Sequence, residues 1–196
     1  MSTAACIRRL WLSAALIAAP SAAQESQWGL EALMRALAQR DHSQASFVET
    51  KHLRLLSRPL TSRGTLTYSP PARLERRTLS PNEEVLRVDG DQVSIEIQAR
   101  GIKRSAPLQR YPALWGFVES LRATLRGDLE ALRTYYRIEL AGEAGWWRLS
   151  LVPLDARLRL VVEEIRIAGA GGTVRSIEVL EARGDRSVMQ ILEGKP

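Results

Sequence analysis

Around Asp89-Gly90 two strand-like runs flank a two-residue turn, the second in strict apolar/polar alternation, and this pattern restricts the fold more than any other. Residues 85–88 lead into the turn. Val93, Ile95 and Ile97 lead out of it, separated by Ser94 and Glu96. Asp-Gly accepts the positive φ that both central positions of a tight hairpin turn require. Period-two alternation sets one face of the hairpin against an apolar interior and the other in water. The same texture recurs along most of the chain. Strands are expected at 47–55, 64–68 and 73–79 before the hairpin, and at 136–140, 146–152, 161–167, 174–180 and 187–192 after it. Their connections are short and rich in Gly, Pro and Asp.

Two regions break this rhythm. Residues 24–40 carry Trp28, Leu30, Leu33, Met34 and Leu37 near helical spacing, with Asp41-His42-Ser43 closing the run. After a loop expected at 101–112, Leu114, Trp115, Phe117, Val118, Leu121 and Leu125 form a broad apolar stripe that ends at Gly127. Asp128 can then cap a short second helix by accepting its first free N–H groups. The expected class is α+β and mainly β, a strongly curved antiparallel sheet of nine to eleven strands. An N-terminal helix and an inserted helical segment cover its apolar face, because an open sheet of that size curls and its apolar side must be buried.

The first residues read as an export signal. Arg8 and Arg9 precede an uncharged, mostly apolar run at 10–19, and Ser21-Ala22-Ala23 follows with small residues. A run of about ten residues is too short to cross a bilayer as a helix. The expected organisation is therefore a signal peptide over 1–23 and one domain over 24–196, working in the periplasm. Cleavage removes Cys6, the only cysteine, and with it any thiol or disulfide chemistry. It also removes Arg8 and Arg9, taking 28 basic residues to 26 against 22 acidic ones, a surplus of four. That mild, scattered excess suits weak attraction to anionic lipid headgroups and argues against a nucleic-acid partner.

Catalytic motifs are scarce. His42 and His52 are the only histidines and sit far from any cluster with metal-ligand spacing, so no metal and no cofactor is expected. Neither a Gly-x-Ser-x-Gly elbow nor a Walker loop occurs. Residues 169–172 read Gly-Ala-Gly-Gly but join two strands and open no helix, so they lack the donors that hold phosphate. Glu163 and Glu164 are neighbours on a strand and point to opposite faces. Glu83-Glu84 flanks a turn, and the strand arginines Arg76 and Arg77 read as outer-face charges. These features point away from an enzyme. What remains is apolar surface: Val93, Ile95 and Ile97 on one strand, Trp147, Leu149 and Leu151 on another, and Leu114, Trp115, Phe117 and Leu121 on the inserted helix. Where packing is incomplete such a lining can hold acyl chains, since each buried CH₂ contributes about 0.8 kcal/mol.

Several short segments, in order, resemble the periplasmic outer-membrane lipoprotein carriers, the LolA family. They are Gln44-Ala45-Ser46-Phe47, Gly64-Thr65-Leu66-Thr67-Tyr68 followed by Pro71, Val88-Asp89-Gly90, Tyr111-Pro112-Ala113-Leu114-Trp115, Leu151-Val152-Pro153, and Gly172-Thr173-Val174 through Glu178 and Glu181 to Asp185-Arg186-Ser187. The resemblance implies an incomplete β-barrel closed by a helical lid. It implies carriage of lipid acyl chains or a lipidated protein, with transient contacts to inner- and outer-membrane donor and acceptor proteins, and a monomer. A regulatory or adaptor module binding a membrane-protein segment is the alternative on the same scaffold. The chain departs from the family at one place. An arginine that latches the lid is expected before the proline after the second strand, and Pro70 stands there. Arg76 replaces an expected aromatic, leaving Arg73 or Arg77 as possible substitutes for the latch.

Overall fold

A computed structural model describes residues 28–39 and 43–193. The proposed signal segment 1–23, Cys6, residues 24–27 and Arg40 of the expected first helix, Asp41 and His42 lie outside the described residues. Helix α1 (Leu30–Ala38) turns Leu33, Met34 and Leu37 inward. It is followed by a meander of six strands: β1 (Ser43–His52), β2 (Leu60–Ser69), β3 (Arg73–Ser80), β4 (Glu84–Asp89), β5 (Gln92–Ile97) and β6 (Ile102–Pro107). Helices α2 (Pro112–Arg126) and α3 (Leu129–Tyr135) come next. The chain then forms β7 (Tyr136–Glu143), β8 (Trp146–Pro153), the single-turn helix α4 (Ala156–Arg159), β9 (Val162–Ala170), β10 (Thr173–Glu181) and β11 (Arg186–Glu193).

All eleven strands form one antiparallel, curved and open sheet in the order β6-β5-β4-β3-β2-β1-β11-β10-β9-β8-β7. The two meanders meet where β1 pairs with β11, with Phe47 opposite Ile191 and Glu49 opposite Met189. Since β6 and β7 are opposite edges, the α2–α3 segment must carry the chain across one face. One rim of the sheet therefore holds the β1–β2, β3–β4, β5–β6, β8–β9 and β10–β11 connections, and the other holds the remaining turns. The mainly-β class, the curved sheet and the helical cover agree with the sequence reading.

Two elements differ from it. The expected loop at 101–112 contains β6, which pairs with β5 through Ile97 opposite Ile102 and Ile95 opposite Arg104. Its alternation is hidden because Arg104 takes an inward position, and its Lys103, Arg104 and Pro107 are the residues that protect an exposed edge from further pairing. The short α4 was not expected; Asp155 caps it by accepting from Arg157 N and Leu158 N, both at 2.9 Å. The expected cap at Asp128 is present, accepting from Ala131 N at 3.0 Å.

The interior is unevenly filled. Its larger cluster joins Leu33 and Leu37 of α1, Leu132 of α3, Trp147, Leu149 and Leu151 of β8, and Ile165 and Ile167 of β9. The smaller cluster, Val88, Val93, Leu108 and Val118, lies under α2 at the N-terminal half of the sheet. Space between them is left open, and it positions the site.

Candidate functional site

Helix α2 is pinned at two places along its length. Near its start, the absence of a side chain at Gly116 admits Leu158 and Tyr136. A Cβ there would lie 2.8 Å from Leu158 Cδ1. The Tyr136 hydroxyl donates to Gly116 O at 2.7 Å. Burial, reinforced by the negative charge of Glu119, raises the pKa of that phenol well above the ordinary tyrosine value. Further along, the buried Arg122 donates to the carbonyls of Ala72 and Gly90, in the β2–β3 and β4–β5 turns, and to Glu119 Oε1 at 2.9 Å. Arg73 pairs instead with Asp89 at 2.8 Å, and Arg77 with Glu75 and Glu83. In their place an arginine on the helix, Arg122, holds α2 to the sheet.

Along α2 the concave face is incompletely filled. A cavity of about 330 Å³ lies among Leu66, Tyr68, Leu74, Leu121, Leu125, Val174, Ile177 and Ile191. A second, of about 170 Å³, shares Leu66, Leu74, Leu121 and Ile177 and adds Leu86, Leu114, Phe117 and Met189. A third, of about 550 Å³, lies toward the β6 edge among Leu86, Val93, Ile95, Arg104, Tyr111 and Leu114. All three are partly open to solvent and are clefts, not enclosed voids. The first falls in the size range of small-ligand pockets.

The floor of the second cavity is polar. Glu49 of β1 points into the concave face, where Oε2 accepts from Arg76 Nη2 at 2.6 Å and from Ser62 Oγ at 3.2 Å. Ser187 Oγ donates to Oε1 at 2.6 Å, and Lys51 Nζ is 3.8 Å away. Burial pushes the Glu49 pKa up, but Arg76, Ser187 and Lys51 together outweigh it and hold the carboxyl below its ordinary value. The Arg76 guanidinium also stacks over the Phe47 ring, 4.9 Å from its centroid. Arg76 is thus an inward charge, contrary to the outer-face expectation, because β3 residues 74, 76 and 78 share the face of Leu66 and Val88. Arg77 faces outward as expected.

The sequence-derived lining residues divide into three groups. Val93, Ile95, Leu114, Phe117 and Leu121 border the cavities. Trp147, Leu149 and Leu151 are 0% exposed and belong to the packed cluster that joins α1, α2 and α3 to β8 and β9, with the Trp147 indole donating to Gly171 O at 2.9 Å. They border none of the three cavities. Trp115 packs edge-on against Tyr135, at 5.2 Å between centroids, and Ile97 faces inward at the end of β5 opposite Ile102. His52 ends β1, exposed. Sequence reasoning missed Leu66, Tyr68, Leu74, Ile177 and Ile191. The alternation of Leu66 and Tyr68 with Thr65 and Thr67 was the available signal.

A family model described as outer membrane lipoprotein carrier protein LolA-like matches residues 18–194. The chain belongs to this LolA-like family. No curated protein matches the sequence. Among solved structures, the LolA-like chain is similar to a LolA superfamily protein from Nitrosomonas europaea, with 9% identity, 85% of this chain and 93% of that chain covered, and a TM-score of 0.42. It is also similar to a putative outer membrane lipoprotein-sorting protein domain from Vibrio parahaemolyticus, with 10% identity, 83% and 89% covered, and a TM-score of 0.41. A third is MucB in the MucA/MucB complex of Pseudomonas aeruginosa, with 14% identity and a TM-score of 0.42. That match covers 84% of this LolA-like chain and 56% of the other.

Proposed function

We propose that this LolA-like protein is exported to the periplasm, where it binds acyl chains of a lipoprotein or other lipid-linked cargo between α2 and the concave face of the sheet. The observation that carries this reading is the pair of adjoining cavities that share the aliphatic wall Leu66, Leu74, Leu121 and Ile177. The walls the two share are aliphatic, so an acyl chain gains transfer energy for each methylene it buries against them, while the polar floor of the second contributes none. The buried Tyr68 hydroxyl finds no hydrogen-bond partner among the described residues. A donor left unpaired beside an apolar cavity suits an amphiphile whose ester or amide linkage accepts from it.

The test is native mass spectrometry of protein purified from a bacterial periplasm, followed by solvent extraction. An acylated species at near-stoichiometric amount supports carriage, and its headgroup defines the cargo class. An empty protein that also fails to take up a fluorescent acyl probe would overturn it, and a search for a protein partner would follow.

A further inference from the structure

The rim that holds the β1–β2, β8–β9 and β10–β11 connections exposes leucines that no packing explains. Leu55 is 97% exposed and Leu160 73%, and Leu56, Leu60 and Leu154 are close to half exposed. They come from two segments of similar composition. Residues 53–60 read Leu-Arg-Leu-Leu-Ser-Arg-Pro-Leu, and residues 154–160 read Leu-Asp-Ala-Arg-Leu-Arg-Leu. In the second, Leu158 turns inward and fastens the segment against the fold. The arginines of both segments, Arg54, Arg58, Arg157 and Arg159, are exposed.

Hydrogen bonds join the two segments into one surface. Arg54 N donates to Asp185 Oδ1 at 2.8 Å and Arg54 Nη1 to Arg183 O at 3.1 Å, tying the β1–β2 loop to the β10–β11 turn. Ala182 N of that turn donates to Val161 O at 3.2 Å, reaching the β8–β9 connection. The turn adds the exposed Arg183. Among the described residues, Arg58, Arg157, Arg159 and Arg183 make no salt bridge. The surface is therefore apolar at its tips and basic between them, its five arginines outnumbering the carboxylates of Asp155 and Asp185.

We propose that this rim docks on the surface of a bilayer containing anionic lipids. Leu55 and Leu160 enter the boundary of the acyl region, and Arg58, Arg157, Arg159 and Arg183 meet phosphates at the headgroup level. A fluid surface suits these leucines better than a protein partner does. They protrude singly from turns, and none of Leu55, Leu56, Leu154 or Leu160 borders a cavity that a matching side chain would enter. The cavity with the polar floor reaches Lys51, Glu181 and Ser187, at the ends of β1, β10 and β11 that meet this rim. Docking thus turns that end of the cavity toward the membrane, and it holds whatever the cavity carries.

The experiment is cosedimentation of the purified protein with vesicles of phosphatidylcholine alone and of phosphatidylcholine and phosphatidylglycerol in equal parts. The variants are Leu55→Ser with Leu160→Ser, and Leu192→Ser, whose site is exposed on β11 near the opposite rim. The wild type and Leu192→Ser should bind the phosphatidylglycerol vesicles, more weakly as salt rises. The double variant should bind them at least tenfold more weakly, with its circular dichroism and acyl-probe uptake unchanged. Equal binding by the double variant, or no binding by the wild type, overturns the proposal. A protein captured by the wild type but not by the double variant, without vesicle binding, assigns the rim to a protein partner and overturns it too. Loss of acyl-probe uptake in the wild type bears on carriage and leaves the vesicle result to be read by itself.

Discussion

Arg122 donates through Nη2 to the carbonyl oxygen of Gly90, 2.9 Å away, so the helix that crosses the sheet is fastened to a turn at the sheet's rim. The same nitrogen reaches Ala72 O, while Nη1 pairs with Glu119. One planar guanidinium thereby joins α2 to the β2–β3 and β4–β5 turns, a geometry that a lysine's single ammonium does not reproduce.

Arg122→Met should lower stability by about 3 kcal/mol, because it leaves two part-buried carbonyls and the Glu119 carboxylate without their donor. Urea unfolding measures this. The acyl probe should also enter faster, since α2 then keeps only its attachment at Tyr136 and its apolar packing. Arg122→Lys should recover a minor part of the stability. A wild-type urea midpoint in both variants would mean that the helix is held by packing alone.

The Glu49–Arg76 pair predicts a pH dependence of definite sign. The folded-state pKa of Glu49 lies below its ordinary value of 4.5, so its contribution is fully present above that value. It is lost as the pH falls through the lower, folded-state pKa, because the unfolded chain then binds the proton more readily. Thermal melts across that acid range should show a steeper loss for the wild type than for Glu49→Gln. At neutral pH Glu49→Leu alone should cost ~3–5 kcal/mol, since Arg76 is left inward without its partner. The double change Glu49→Leu with Arg76→Leu should return most of that.

How far this site could be read beforehand depended on which residues broke the pattern. The Asp128 cap and the apolar stripe of α2 follow from local rules and appear where periodicity puts them. The hairpin also forms, but its turn is Gly90-Asp91, because Asp89 still pairs with Gln92, and only Gly90 takes a positive φ. Strand β6 was hidden because Arg104 occupies an inward position, so the apolar/polar code fails there. The polar floor was hidden for the same reason: Glu49 and Arg76 are charges on a concave face, and only the register of β1, β2 and β3 brings them within hydrogen-bonding distance. Alternation correctly turned Trp147, Leu149 and Leu151 inward. It contains nothing that tells packed core from cavity wall, because that depends on how far α1 and α2 stand from each strand. Arg122 was invisible for a further reason, since its partners are backbone carbonyls 32 and 50 residues away.

Gly127 ends α2 with φ at +65°, and a Cβ there would lie 2.2 Å from Met34 O. Both the left-handed backbone and the close approach of α1 require glycine. Gly127→Ala should therefore cost at least ~1 kcal/mol, and separating α1 from α2 should increase binding of a hydrophobic dye. Chemical denaturation with and without the dye measures both. Gly90→Ala is the comparison: φ is +54° but no atom lies within 4 Å of the added Cβ, so the loss should be smaller and dye binding unchanged.

Cavity wall and packed core can be separated by substitutions of opposite sense. Leu66 borders both of the adjoining cavities, so Leu66→Trp should place its extra volume in open space and leave the melting temperature within a few degrees of wild type. It should nevertheless reduce acyl-probe uptake at least tenfold, by removing the room the chain would occupy. Leu149→Ala, at 0% exposure in the packed cluster, should instead cost ~2–5 kcal/mol through lost contacts and a new void. Its probe affinity, measured well below the melting temperature, should stay near wild type. If Leu149→Ala lowered affinity while Leu66→Trp did not, the acyl chain would lie among the residues of the packed cluster and not in the cavities bordered by Leu66.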